Sequence, residues 1–420
     1  MLYNENGDNV YNFRVTNDID MFDKYVEDNN GSFFQTSMWA KLKKDWQPTY
    51  FIGTDENDKV VLTALLQTRT IYKIFKLGYF HSGFVCDYNN NALLEEAFKF
   101  FKKELKKRNI AFTFIDPEII YKRNNIIDDE GKAKKFDWLK YGLSFTNKKE
   151  PFIQPSFTYI LNLSDNNKQK TIDEVVSNFE KGVRYSIRTA SNKGLRHVQY
   201  NYNDVLNNPS IMDEFMSIMQ DTSSRLETVS RSRDYFLRVM ENLKEYITLD
   251  MIYYDIKSDK NNYEEIKKKN DKNLLNQLDA YEKRVKEIEQ SGYDLSKTNK
   301  IYLAAGITVF YGETTTCLFG GTRNLLRNAT RSSHYLNYKR IENSVSRNMK
   351  YHDFLRAHVY YRDERDQNYG LSVFKKSFGA IEIEYIGEYV LINNKFIYSL
   401  FNLFYKKILK LIIKLKRKRS

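Results

Sequence analysis

Standard catalytic signatures are absent from this sequence, and each absence removes a class of chemistry. The five histidines, His81, His197, His334, His352 and His358, fall in no zinc-ligand spacing such as H-E-x-x-H. There is no G-x-S-x-G elbow, no Walker loop and no dinucleotide fingerprint. The "GGT" at Gly320 to Thr322 is not followed by lysine and reads as a turn. The acetyl-CoA loop (Arg or Gln, two residues, then Gly-x-Gly) is missing too, so a transferase built on this chain would use another acyl donor. Cysteine is scarce: Cys86 and Cys317 sit among apolar residues, offer no metal spacing, and read as buried packing residues. With only five prolines and 15% aromatics, the 420 residues read as folded throughout, long enough for two substantial cores. The first residues, "MLYNENGDNV", lack a basic-then-apolar signal, which sets the expectation of a protein working inside the cell.

Positive charge is in excess. The formal net charge is +13, of which the segment Tyr405 to Ser420, "YKKILKLIIKLKRKRS", supplies eight with no acidic residue. Such a balance favours polyanions, whether nucleic acid or acidic membrane. On a helix, Phe401, Phe404, Ile408, Leu411, Ile412 and Leu415 gather on one side and Lys406, Lys407, Lys410, Lys414 and Arg417 on the other. The charge-free run Phe396 to Tyr405 is far short of the ~20 residues that cross a bilayer. The pattern predicts a basic amphipathic helix over 396–420 lying in an anionic membrane interface. A terminal helix docked on the protein's own core is the alternative.

The remainder reads as α/β. Strand-like runs ("TYFIG", "VVLTALLQTR", "AFTFID") alternate with helix-like ones ("ALLEEAFKFFKKELKKRN"), and a second pass of the same kind begins at "SFTYILNLS". A duplicated fold is expected, with subdomains over 1–153 and 154–395. Within the second, Leu274, Leu278, Tyr281, Val285 and Ile288 fall at 4,3,4,3 spacing. That seam predicts an inserted helical coiled-coil hairpin over 256–297, its partner strand of helix carrying Tyr263 and Ile266.

Six stretches in order, "FFQTSMWAKLKKDW", "SGFVCDY", "FIDPE", "GVRYSIRTASNKGL", "LFGGTRNLLRNATRSSHYLNY" and "GLSVFKKSFGAIEIEYIGEY", resemble the Fem family of aminoacyltransferases (FemA, FemB, FemX and MurM-type members). The resemblance covers nearly the whole chain. It implies two acetyltransferase-like subdomains with a coiled-coil arm, and transfer of Ala, Ser or Gly from aminoacyl-tRNA to the stem peptide of a peptidoglycan precursor, lipid II for MurM-type members. It implies no cofactor beyond aminoacyl-tRNA as co-substrate, no metal, and a peripheral position at the inner face of a bacterial plasma membrane. Lys375 matches a family lysine suited to stabilising an oxyanion or the leaving ribose oxygen, with Lys376 as its neighbouring competitor. Asp87 matches a carboxylate suited to receiving the attacking ammonium or its proton. Lys43, Arg184 and Arg188 are expected to meet precursor phosphates or carboxylates, and Tyr235 to stack or hydrogen-bond. The chain departs from the pattern at Ser82, Gly83 and Phe84, where Arg-Gly-Pro is common. It departs again at Leu355 and Arg356, where a Gly-Gly usually follows Asp-Phe, and at Ser156, where an Arg is frequent after "QP". These departures leave open a non-catalytic paralogue that binds precursor or tRNA at the membrane. A general nucleic-acid-binding protein would explain the charge but not the six motifs.

Overall fold

The computed structural model describes residues 11–71, 73–146, 153–166, 168–226, 228–269, 274–357, 363–365 and 369–404. The chain is mixed α/β and divides into two compact units, one comprising Met1–Ile160, Arg356–Val373 and Ile381–Ser420, the other Leu161–Leu355 and Phe374–Ala380. The division differs from the boundary expected near residue 153. Residues 381–395, expected in the second subdomain, join the first, because Tyr389–Ile392 is an apolar strand seated between Ile110–Ile115 and Leu143–Phe145.

The first unit is built on a mostly antiparallel sheet. Asn12–Thr16, Gln47–Thr54, Val60–Ile71 and Phe75–Phe80 follow one another as neighbours. Phe75–Phe80 then pairs in parallel with Ile110–Ile115 across the helix Asn91–Lys107. A parallel pair needs such a crossover, and the helix fits it: Leu93, Leu94, Ala97, Phe98, Phe101 and Leu105 form one buried stripe. That stripe meets Phe51, Leu62, Leu66 and Phe80 on one face of the sheet. On the other face Leu77, Tyr79, Phe112, Phe114 and Val390 pack against Phe401. Residues 395–404 are helical. Phe401 therefore serves the protein's own core, where the sequence pattern had placed it on a membrane face. The expected tail segment 405–420 lies outside the described residues. A further antiparallel ladder joins Phe157–Asn162, Ile381–Tyr385, Ile120–Arg123 and Ile126–Ile127.

The second unit is an antiparallel run of Leu195–Tyr200, Ile247–Asp255, Lys300–Tyr311 and Thr314–Thr322, with Tyr351–Asp353 added in parallel. Between the second and third of these strands project two helices, Ile256–Lys269 and Leu275–Gln290. Their faces meet at Tyr263 and Tyr281, stacked with centroids 4.3 Å apart. The root of this arm is buried. Arg284 donates through Nε and Nη2 to the two oxygens of Asp259 at 2.8 and 2.9 Å, and the Tyr254 hydroxyl donates to Oδ2 of the same carboxylate at 2.5 Å. Ile288 enters the core beside Ile252, Leu303 and Leu336.

Candidate functional site

The stretch "FFQTSMW" is organised by local hydrogen bonds. Ser32 and Gln35 form a capping box, and Thr36 caps the helix Ser37–Leu42. Phe34 then stacks on His81 at 4.3 Å, with Trp39 edge-on at 6.3 Å. Gln35 uses its amide to donate to the Ser82 carbonyl. Lys43 follows the helix, half-buried, its Nζ 4.7 Å from the Trp39 ring centre.

The turn after Phe75–Phe80 is shaped for close approach. Ser82 and Gly83 both have positive φ, and a Cβ on Gly83 would come within 2.5 Å of the Tyr88 hydroxyl. That hydroxyl accepts from Phe84 N and donates to Phe84 O, each at 2.7 Å, closing the loop on itself. Over this loop opens a cavity of about 870 Å³, whose walls include Gln35, Lys59, Ser82, Asp87, Tyr88 and Glu118. Asp87 is exposed there and accepts the Asn89 backbone N–H at 2.8 Å.

Beside the cavity lies a polar cluster. Asp116 Oδ1 accepts Ser82 N at 2.9 Å, and Glu118 Oε1 accepts the Ser82 hydroxyl at 2.8 Å. Arg356 donates Nη1 to Asp116 Oδ2 at 2.8 Å and Nη2 to Glu118 Oε1 at 2.9 Å. Burial pushes the Asp116 carboxyl up and the guanidinium opposes it, leaving a pKa of about 6. Burial alone would lower Arg356, but Asp116 and Glu118 hold it above the usual arginine range. His81 is driven well below its ordinary value by burial, then by Arg356 and Lys43. Its ring is therefore neutral. Nδ1 lies 3.1 Å from the Ser82 hydroxyl, which already donates to Glu118, so Nδ1 carries the proton and Nε2 accepts from Gln154. Reading the sequence assigned no role to Asp116, Glu118, His81 or Arg356. "FIDPE" was the available signal, since two carboxylates at the end of an apolar strand need a cation.

In the second unit Lys375 lies in the last turn of the helix Tyr369–Lys376, its residue only 6% exposed. Nζ donates to the Leu355 carbonyl at 2.7 Å, and Leu355 itself has φ +65°. Burial lowers its pKa to about 8, with Asp353 and Cys317 acting the other way. Lys376 is exposed. The nearby Cys317 thiol is 3.2 Å from His352 Nε2, whose Nδ1 meets the Ser344 hydroxyl at 2.9 Å. This set resembles a catalytic triad in composition only. Burial raises the thiol and lowers the imidazole to about 3, so neither is charged, and both read as packed, satisfied groups.

The other expected substrate residues are distributed over this unit. Arg184 is exposed, and its Nη1 donates to the carbonyls of Ser177 and Phe179, tying the start of the helix Lys181–Ala190 to the preceding turn. Arg188, on the same helix, lies with its guanidinium 5.9 Å from the Tyr185 ring. Tyr235 is half-buried, edge-on to Phe319 at 6.2 Å, with Arg231 5.2 Å from its ring. Among the described residues no group of three or more His, Cys, Asp or Glu could hold a metal ion.

Comparison with known proteins gives this geometry a context. The chain is 27% identical over 416 residues to a lipid II:glycine glycyltransferase of Staphylococcus epidermidis, covering 93% of this chain and 94% of that protein. It is 24% identical over 385 residues to the aminoacyltransferase FemA of the same species, covering 84% and 89%. The crystal structure of FemX matches with a TM-score of 0.73 at 22% identity, over 93% of this chain and 99% of that one, and so shares the fold. The FemAB family is matched over residues 18–406, which spans both the cavity and the buried lysine, and the chain belongs to that family.

Proposed function

We propose that this protein is an aminoacyltransferase that moves an amino acid from aminoacyl-tRNA to the stem-peptide amine of lipid II, helping to build the interpeptide bridge of peptidoglycan. Glycine, named in the similar glycyltransferase, is the first donor to test, ahead of alanine and serine. The carrying observation is Lys375: an ammonium in a nearly dry site, its proton held only to about pH 8.

An aminoacyl ester is already activated. The neutral acceptor amine attacks the carbonyl, the C–N bond forms, and the carbonyl oxygen takes up the negative charge. Collapse breaks the C–O bond to the ribose, whose oxygen must leave with a proton, while the amine gives one up. A fixed ammonium beside that carbonyl stabilises charge that exists mainly in the transition state, and its low-dielectric surroundings strengthen the effect. The first unit suits the acceptor. A cavity of about 870 Å³ has room for part of a peptide, and Asp87 and Glu118 on its wall would receive the incoming ammonium, with Asp87 taking the proton it loses before the neutral amine attacks. On this reading Lys43 meets precursor anions, and the basic arm, with Lys267, Lys268, Lys269, Lys283 and Lys286, guides tRNA.

The same reading extends to a membrane surface. Among the described residues no helix is long and apolar enough to cross a membrane. On the helix 395–404, Phe396, Leu400, Leu403 and Phe404 are all exposed while Phe401 is buried, and the chain continues into eight basic residues. That arrangement fits a peripheral protein at an anionic inner leaflet.

Purified protein incubated with Gly-, Ala- and Ser-tRNA and lipid II tests the proposal directly. Formation of an extended lipid II with one of them supports it. Binding without transfer, under all three, overturns it in favour of a non-catalytic paralogue.

A further inference from the structure

Ser82 and Arg356 lie about 270 residues apart in sequence yet serve the same two carboxylates. Ser82 reaches Asp116 through its backbone N–H and Glu118 through its hydroxyl. Arg356 reaches Asp116 through Nη1 and Glu118 through Nη2. Asp116 is 3% exposed and the Arg356 side chain 7%, so water screens neither. Glu118, at 35%, is the member that faces solvent, and with Ser82 it lines the cavity.

The fork geometry makes Arg356 more than a countercharge. A guanidinium can bond two carboxylates at once in a fixed plane, and a lysine ammonium cannot reproduce that. Here one arm neutralises the buried Asp116 and the other sets the orientation of Glu118. Nη1 also donates to the Pro155 carbonyl at 3.3 Å, and the guanidinium sits 5.1 Å from the Tyr385 ring centre, which fix the plane from two further sides.

We propose that Arg356 is a positioning residue of the cavity: its fork holds the Glu118 carboxylate on the cavity wall, where a cationic group of the acceptor meets it. The assignment of that acceptor rests on the function proposed above.

Arg356→Gly, Arg356→Lys, Glu118→Gln and the double variant Glu118→Gln/Arg356→Lys test it beside the unaltered chain. Thermal unfolding is followed for each, and lipid II binding and transfer kinetics are measured with varied lipid II. Arg356→Gly should lower the unfolding midpoint by about 6 °C or more, because it strands a buried carboxylate. Arg356→Lys keeps the charge without the fork and should fold, with the acceptor KM raised about fivefold and kcat changed less than about threefold. Glu118→Gln should raise the KM to a similar extent, and the double variant no further than either alone, because both act through one carboxylate. An unchanged KM in a folded Arg356→Lys protein, or fully additive effects in the double variant, would overturn the positioning role. Binding of lipid II requires no transfer, so weakened binding by Arg356→Lys in a protein inactive with every tRNA would sustain the positioning role while the proposed reaction failed.

Discussion

Two buried cations, one in each unit, show how differently a protein can hold a positive charge. Arg356 is fixed by three hydrogen bonds, two to carboxylates and one to a carbonyl, and by its contact with the Tyr385 ring, and its proton is held more tightly than in water. Lys375 donates to a backbone carbonyl, feels Asp353 only as a lesser influence, and loses affinity for its proton through burial. The field of Arg356 goes into fixing two acids. Lys375 keeps its charge against the cost of burial, in a low-dielectric setting where a charge acts more strongly on its neighbours. The comparison separates a group that shapes a wall from one that can act on a reacting atom.

The largest test of that contrast is Lys375→Met, which keeps most of the volume and removes the charge. Single-turnover transfer from preformed aminoacyl-tRNA should fall by about 100-fold or more, the scale of losing one electrostatic donor in a dry site. Lys376→Met, an exposed neighbour, should leave the rate within about twofold. An unimpaired Lys375→Met protein would break the comparison.

The pH dependence sharpens it. Lys375 has a folded pKa of about 8 against an ordinary 10.5. Between those values the unfolded chain holds a proton that the folded chain has released, so this group's contribution to stability rises with pH across that window; below about pH 8 the full cost of the buried ammonium is present. Activity runs the opposite way, because the ammonium is the useful form. Above about pH 8 the rate should lose close to tenfold per pH unit of this group's contribution, a descending limb that Lys375→Met abolishes.

A smaller effect is expected at Lys43. Its replacement by Met should raise the acceptor KM about tenfold while single-turnover rates at saturation change less than about threefold, the pattern of a charge that binds substrate and transition state alike. The smallest effect on chemistry belongs to a third buried cation, Arg284. Arg284→Met strands Asp259 and should cost about 3–5 kcal/mol of stability. The fraction that remains folded should transfer at a rate within about twofold of the unaltered protein, as a purely structural pair requires.

Much of this architecture was legible beforehand. The alternating strands and the amphipathic helix Asn91–Lys107 follow from apolar periodicity, and so do the two helices Ile256–Lys269 and Leu275–Gln290; of the expected seam, Tyr281 meets Tyr263, while Ile288 enters the core of the unit. What periodicity could not supply was long-range pairing. Nothing local in "YVLI" says that it joins the first sheet, since an apolar strand suits any gap between two others. The depressed pKa of Lys375 was likewise hidden, because burial of a lysine depends on what the rest of the chain brings around it. The Arg356 cluster was missed for a related reason: its carboxylates sat in a quoted motif, but their cation came from about 240 residues downstream. Phe401 was misplaced because an apolar helix face does not say whether protein or lipid will cover it.

The strand Tyr389–Ile392 has a consequence for how the protein comes into being. Its partners in the sheet are Phe112 to Ile115 and Leu143 to Phe145, so closing the first unit joins residues more than 240 apart. During synthesis this unit leaves the ribosome with the apolar edge Ile110–Ile115 open and stays unfinished until Ile392 has been made. Its early strands thus wait for the whole of the second unit to be translated, and its slow, non-local closure is the stage at which chaperones or aggregation would compete for the chain.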